Sequence, residues 1–313
     1  MSDVKSNPQL AVIGECMVEI SGRPFSTMQQ SFGGDSMNTA IYLKKLSGDK
    51  LDVNYVSAMG IDALSSAMIE KWQSYGINTD WVLRDQQKHA GLYMIQNDAS
   101  GERTFQYWRN DSAARYMVQH PQFETMMAAL SGCQAIYLSG ISLAILPQQD
   151  CDTLLDRISE LAESGVKVIF DSNYRPVLWQ STDRCQHVYE RIYAMSDLAL
   201  VTYDDEQALW ADESIEQCRQ RLHQCGVKQL VVKDGANGCQ FSVDSNVAFY
   251  PAQRVDNLVD TTAAGDSFNA GFLSHWLFNG WIEQCAQSGN ALAAQVIQQR
   301  GAIVEIDVDA LTN

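Results

Sequence analysis

The sequence runs to 313 residues with a formal net charge of −16 at pH 7, and 46% of its residues are hydrophobic against 19% charged. That length buries a full core, as one large α/β domain or as two smaller ones, and the composition argues against a disordered chain. An acidic field of this size also argues against nucleic acid and anionic membrane surfaces as partners, so an anionic ligand has to be captured by local cations.

Residues 1–10 are polar and hold no apolar stretch of signal-peptide type, and no later run approaches the roughly 20 apolar residues of a membrane span. The eight cysteines are scattered, with no C-x-x-C pair and no zinc spacing. Cys16, Cys133 and Cys239 sit in apolar runs and read as core residues. Free thiols of this kind suit a reducing compartment, and a cytoplasmic location is expected.

Along the chain, residues 10–20 read as the first strand and 53–59 as another, followed by a helix over 64–75. Residues 91–95 and 103–109 then read as two strands about a turn at 97–101. Phe105, Tyr107 and Arg109 share one face of the second strand, and a turn centred near Ala99 sets Tyr93 opposite Phe105. An aromatic surface ending in an arginine suits a sugar acid, although an ordinary half-buried hairpin reads the same way. Short apolar runs follow at 135–138, 166–170, 198–201 and 230–232, with helices at 151–163 and 183–195 between them. Strand and helix in alternation predict a mostly parallel sheet covered on both faces, with ligands beyond the carboxyl ends of its strands.

The segment Asp260-Thr261-Thr262-Ala263-Ala264-Gly265-Asp266-Ser267-Phe268 carries the strongest chemical signal. Thr261 and Thr262 are N-cap types, and the small residues after them open an amphipathic helix running to Phe278. First-turn N–H groups have no intrahelical partner and lie at the positive end of the dipole, so Ala263, Ala264 and Gly265 form an anion hole. Asp266 beside it is placed to accept a proton from an attacking hydroxyl. Its bland alternative is a carboxylate that complements the dipole, worth about 0.3–1 kcal/mol.

Three other segments bear polar groups at strand ends or helix starts. Gly33-Gly34-Asp35 runs into Asn38, with glycines for close backbone approach and polar side chains for a polyol. Asp171-Ser172-Asn173-Tyr174-Arg175 ends a predicted strand, and Arg175 can clamp an anion. Lys233-Asp234-Gly235-Ala236-Asn237-Gly238 follows the last apolar run. A plain turn, a surface ion pair and a weak G-x-x-G are the respective alternatives.

Together these segments resemble the ribokinase-like sugar kinases of phosphofructokinase-B type, over most of the chain. The Asp260 to Asp266 string is similar to the family's D-T-x-G-A-G-D, with Ala263 where glycine is commoner, an exchange the backbone accepts if φ stays negative. Gly33 to Ala40 resembles G-G-x-x-x-N-x-A, which implies that Gly34, Asp35 and Asn38 hold the sugar. The 233–238 turn resembles K-x-G-x-x-G, implying that Lys233, Gly235 and Gly238, with Asn173, meet ATP. The family's N-x-x-E aligns with Tyr203 to Glu206, implying that Glu206 organises Mg2+ through water; with Tyr203 replacing the asparagine, Asp204 or Asp205 is the alternative contributor, although those two read better as an acidic helix start.

The 101–109 segment and the Asn173-Tyr174-Arg175 loop resemble the 2-keto-3-deoxygluconate kinase branch. The resemblance implies a three-layer α/β/α ribokinase-like fold, one kinase domain over 1–313 with a β lid from about 15–32 and 90–112. It implies transfer of the γ-phosphate of ATP to the 6-hydroxyl of the sugar acid, with Asp266 as base and Tyr93, Tyr107, Arg109 and Arg175 on the substrate. ATP and Mg2+ are the implied cofactors, with room for a monovalent cation, and a homodimer through the lid is the implied assembly. A neutral-sugar kinase such as a fructokinase, and a non-catalytic sugar sensor, are the alternatives.

Overall fold

Residues 7–97 and 103–312 are described by the computed structural model of the chain. The strands, in chain order, are β1 (Gln9–Ile13), β2 (Met17–Gly22), β3 (Met28–Gly33), β4 (Asp52–Gly60), β5 (Val82–Asp85), β6 (Leu92–Asn97), β7 (Arg103–Trp108), β8 (Ala135–Ser139), β9 (Lys167–Asp171), β10 (Leu198–Thr202), β11 (Gln229–Lys233), β12 (Gly238–Val243) and β13 (Asn246–Pro251).

A nine-stranded sheet has the order β13-β12-β11-β10-β9-β8-β1-β4-β5. Its pairings are parallel from β11 to β5 and antiparallel at the β11/β12 and β12/β13 edge. Strand alternation divides the core in two. Leu10 and Val12 point to one face with Tyr55, Tyr137 and Ile169, under the helices Asp35–Ser47 and Ala264–Trp276. Ala11 and Ile13 point to the other with Val56, Leu138 and Phe170, under Gln148–Glu163 and Thr182–Met195. Both faces are covered, which is why these strands read as continuous apolar runs. The result is the expected three-layer α/β/α arrangement.

A second, four-stranded sheet has the order β3-β2-β6-β7. It arises because the apolar stretch at 10–20 is not one strand, as expected, but two in different sheets. β1 stops at Ile13 because a Cβ at Gly14 would lie 2.1 Å from Ser36 Oγ, and only glycine passes there. Residues 14–16 then carry the chain across to β2.

The β6/β7 register also differs from expectation. Tyr93 pairs with Tyr107, and Ile95 with Phe105. A shift of two residues keeps every side chain on its face, so Tyr93, Phe105 and Tyr107 still pack together, with ring centroids 5.9–6.5 Å apart. The expected turn centre, Ala99, lies outside the described residues.

Candidate active site

The helix Ala264–Trp276 starts with an open first turn. Its N-cap is Ala263, without a side-chain cap, rather than Thr261 or Thr262. Thr262 is instead drawn back to Asp260, which accepts from its N–H at 3.1 Å and from its hydroxyl at 2.7 Å. The other Asp260 oxygen accepts from the N–H of Gly301 at 2.8 Å. Ala263 has φ 59 and ψ 18, so the expected negative φ is overturned. An L-residue there carries strain of roughly 1–2 kcal/mol, and the N–H of Ala264 turns back to the carbonyl of Thr261 at 3.2 Å. The N–H groups of Gly265 and Asp266 make no hydrogen bond among the described residues. A Cβ at Gly265 would meet only Lys233 Nζ, at 3.7 Å. The hole is therefore open, with a lysine ammonium close by.

Asp266 is fixed from the opposite helix: Asn38 Nδ2 donates to its Oδ2 at 2.8 Å, and the Thr39 hydroxyl to its backbone carbonyl at 3.2 Å. Burial, with the charges of Asp35 and Asp171, pushes its carboxyl up to about 8, against the opposing Asn38 hydrogen bond and the Lys233 charge. A carboxyl titrating there is matched to taking a proton near neutral pH.

Beneath the hole, Lys233 at the end of β11 turns inward. Its Nζ donates to Asn269 Oδ1 at 3.0 Å and lies 3.3 Å from Asp171 Oδ1 at the end of β9. Asn269 Nδ2 closes the group on Asp171 Oδ2 at 3.0 Å. Burial raises the Asp171 carboxyl, and Lys233 opposes the shift.

The expected residues converge on a cleft of about 430 Å³ beyond the carboxyl ends of the main-sheet strands. Gly34, Asp35, Asn38, Tyr93, Tyr107, Arg109, Asn173, Arg175, Lys233, Ala263, Ala264, Gly265 and Asp266 all line it. A larger cavity, about 1200 Å³, adjoins it between the small sheet and the helix Ala63–Ser74, sharing Tyr93, Phe105 and Thr262.

Each arginine already faces a carboxylate. Arg109 is buried and donates Nε to Glu15 Oε2 at 2.8 Å, and Nη2 to the same oxygen. Arg175 is half-exposed, with Nη1 donating to the Tyr174 carbonyl at 2.8 Å and standing 3.6 Å from Asp205 Oδ1. Tyr93 donates to Glu19. Asn173, expected on the nucleotide, donates instead to Asp35 Oδ2 at 2.8 Å and sits at φ 32.

Gly235, Gly238 and Glu206 are not among the cleft residues. Gly238 has φ 116, and a Cβ there would lie 2.2 Å from the carbonyl of Tyr250, so the approach of β13 requires glycine. Gly235, at φ 49, faces open space. Glu206 is fully buried: its oxygens accept from Tyr193 at 2.7 Å and from Arg221 at 2.8 Å, which also holds Asp212 at 2.6 Å. Glu206 therefore does not reach the cleft. On the first turn of the helix Tyr203–Trp210, Asp205 faces the cleft beside Arg175, while Glu206 faces the core. Burial raises the Asp205 carboxyl, opposed by Arg175.

Glu15, Asp171, Asp205 and Asn269 were not among the expected site residues. Asp171 ends an apolar strand, a position that signals function. Glu15 lay hidden inside what read as a single strand.

The model of the pfkB family carbohydrate kinases matches residues 7–308. The chain is 52% identical over 301 residues to a 2-dehydro-3-deoxygluconokinase of Haemophilus influenzae, covering 95% of this chain and 96% of the relative. It is 44% identical over 302 residues to a protein of the same name from Dickeya dadantii, covering 95% and 97%. In fold it is similar to a candidate ribokinase II of Escherichia coli in complex with ATP and Mg2+, with TM-score 0.81, 19% identity and coverage of 95% and 94%.

Proposed function

The chain belongs to the pfkB family of carbohydrate kinases, and from that premise we propose that it transfers the γ-phosphate of ATP to the 6-hydroxyl of 2-keto-3-deoxygluconate, giving 2-keto-3-deoxy-6-phosphogluconate. Relatives bearing the name of that activity are 52% and 44% identical over nearly the whole chain. The observation that carries the reading is the cleft itself, which Asp266, an open anion hole and two arginines line together.

In this reading Asp266 takes the proton of the attacking hydroxyl, aimed by Asn38. The free N–H groups of Gly265 and Asp266, with Lys233 close by, receive the charge that builds on the transferred phosphoryl. Arg109 and Arg175 take the sugar's carboxylate, while Gly34, Asp35 and Asn38 meet its hydroxyls and Tyr93 and Tyr107 its carbon face. The 235–238 turn, which follows Lys233 directly, is read as the nucleotide's contact, while Asn173 braces Asp35. Asp205, in the cleft beside Arg175, is the residue that would hold Mg2+ through water, and the ion would supply charge neutralisation at the phosphates. Near the place a monovalent cation would take, Asp260 already engages both oxygens, with Thr262 and Gly301.

The small sheet acts as a lid that excludes water, in one kinase domain over 1–313. Trp108 and Phe25 stand exposed on it and support a homodimer formed there. Eight free cysteines support a cytoplasmic location; among the described residues no helix is long and apolar enough to cross a membrane.

Product analysis tests the proposal. ³¹P–¹³C coupling in the isolated product should place the phosphate on C6, and coupling to any other carbon would reject the assigned acceptor.

A further inference from the structure

We infer that Glu15 is a positioning residue for Arg109 and thereby a determinant of sugar-acid selectivity, built into the hinge between the two sheets. The inference rests on the reading that Arg109 meets the substrate's carboxylate.

The chain passes between the main body and the small sheet at residues 14–16, at Gly34, at Gly91 and at Arg109. These crossings meet around one side chain. A Cβ at Gly34 would lie 2.3 Å from the Glu15 carbonyl oxygen. A Cβ at Gly91 would lie 2.7 Å from Glu15 Oε1 and 3.3 Å from Arg109 Cβ. Glycine at 91 leaves room for the Glu15 carboxylate and glycine at 34 for its backbone, and Glu15 is 3% exposed.

The bonding within the pair is one-sided. Arg109 presents Nε and Nη2 to a single oxygen, Oε2, while Oε1 is buried without a hydrogen-bond partner. Nη1 has no partner among the described residues, and Arg109 lines the cleft. A pair serving only to brace the hinge gains most by engaging both oxygens, and a buried ion pair is a weak source of net stability. Here one edge of the guanidinium is held and the Nη1–Nη2 edge is left for a second carboxylate, the bidentate geometry that arginine favours. Glu15 thus spares Arg109 an uncompensated buried charge when the cleft is empty. It also removes the rotamer freedom that the substrate would otherwise have to restrict on binding.

The test is a set of kcat and KM values, for 2-keto-3-deoxygluconate and for ATP, in the wild type and in Glu15→Gln, Glu15→Asp, Arg109→Ala and the Glu15→Gln/Arg109→Ala double variant. Glu15→Gln should raise KM for the sugar acid about ten- to a hundredfold, the worth of a charge-assisted hydrogen bond, with KM for ATP nearly unchanged. Glu15→Asp, which keeps the charge, should fall between, and the double variant should be no worse than Arg109→Ala alone. A wild-type KM for the sugar acid in Glu15→Gln, or losses that multiply in the double variant, would overturn the inference. Should Glu15→Gln fail to fold, an unchanged KM in Glu15→Asp would overturn it equally. Failure of the underlying reading shows separately, as an Arg109→Ala variant with wild-type KM for the sugar acid.

Discussion

Asn38 and Asp266, 228 residues apart in sequence, are joined by a hydrogen bond of 2.8 Å from the amide of one to the carboxylate of the other. The contact ties the helix Asp35–Ser47 to the helix Ala264–Trp276 at the point where both open onto the cleft. The second Asp266 oxygen makes no hydrogen bond among the described residues.

Asp266→Asn should lower turnover by about 10²–10⁴, the usual worth of a general base, with ATP affinity largely kept. Because the folded carboxyl is pushed up to about 8, kcat/KM of the wild type should climb with pH through that region as the base ionises, and the variant should lose the limb. The same shift has a sign for stability. The unfolded carboxyl titrates near 4, so between about pH 4 and 8 the folded state holds the extra proton, and stability falls as pH rises across that window. Thermal unfolding of the two proteins from pH 5 to 9 should show Asp266→Asn overtaking the wild type toward the alkaline end.

Asn38→Ala removes a hydrogen bond that favours the charged carboxylate, so the alkaline-going limb should move to higher pH. An effect on KM alone, with the limb unmoved, would limit Asn38 to the sugar.

Asp205 and Glu206 are adjacent in sequence and opposite in environment. Asp205→Asn should raise the Mg2+ needed for half-maximal rate, by roughly tenfold or more as for other outer ligands of a metal. Glu206→Ala strips a buried partner from Arg221 and should cost on the order of 3 kcal/mol in denaturant unfolding. Reversed effects would return the metal position to Glu206.

Ala263→Gly relieves an alanine held at φ 59 and should stabilise the fold by about 1 kcal/mol, read as a higher midpoint in urea. A lower midpoint would mean that the backbone there is not strained.

Much of this was legible in sequence. The strands buried on both faces announce themselves as unbroken apolar runs, as Ala135–Ser139 and Gln229–Lys233 do. Asp266, Asn38 and Lys233 stand in motifs whose residue types carry their chemistry. What escaped depends on tertiary contact. The break at Gly14 is dictated by Ser36, and apolar Cys16-Met17-Val18 continues the pattern straight across it. The positive φ of Ala263 belongs to a residue type that seldom adopts it. The arginines were identified from sequence, but the carboxylates facing them were not: Glu15 lies 94 residues before Arg109. That Asp205 and not Glu206 lines the cleft depends on the rotation of a helix about its axis, which packing alone decides.

Initial rates of ATP-dependent ADP release with 2-keto-3-deoxygluconate, fructose, ribose and gluconate test the central claim most directly. The account predicts that kcat/KM for the keto-deoxy acid exceeds that for each of the others, and that Arg109→Ala or Arg175→Ala erases the preference. A preference for fructose, indifferent to both arginines, would contradict it.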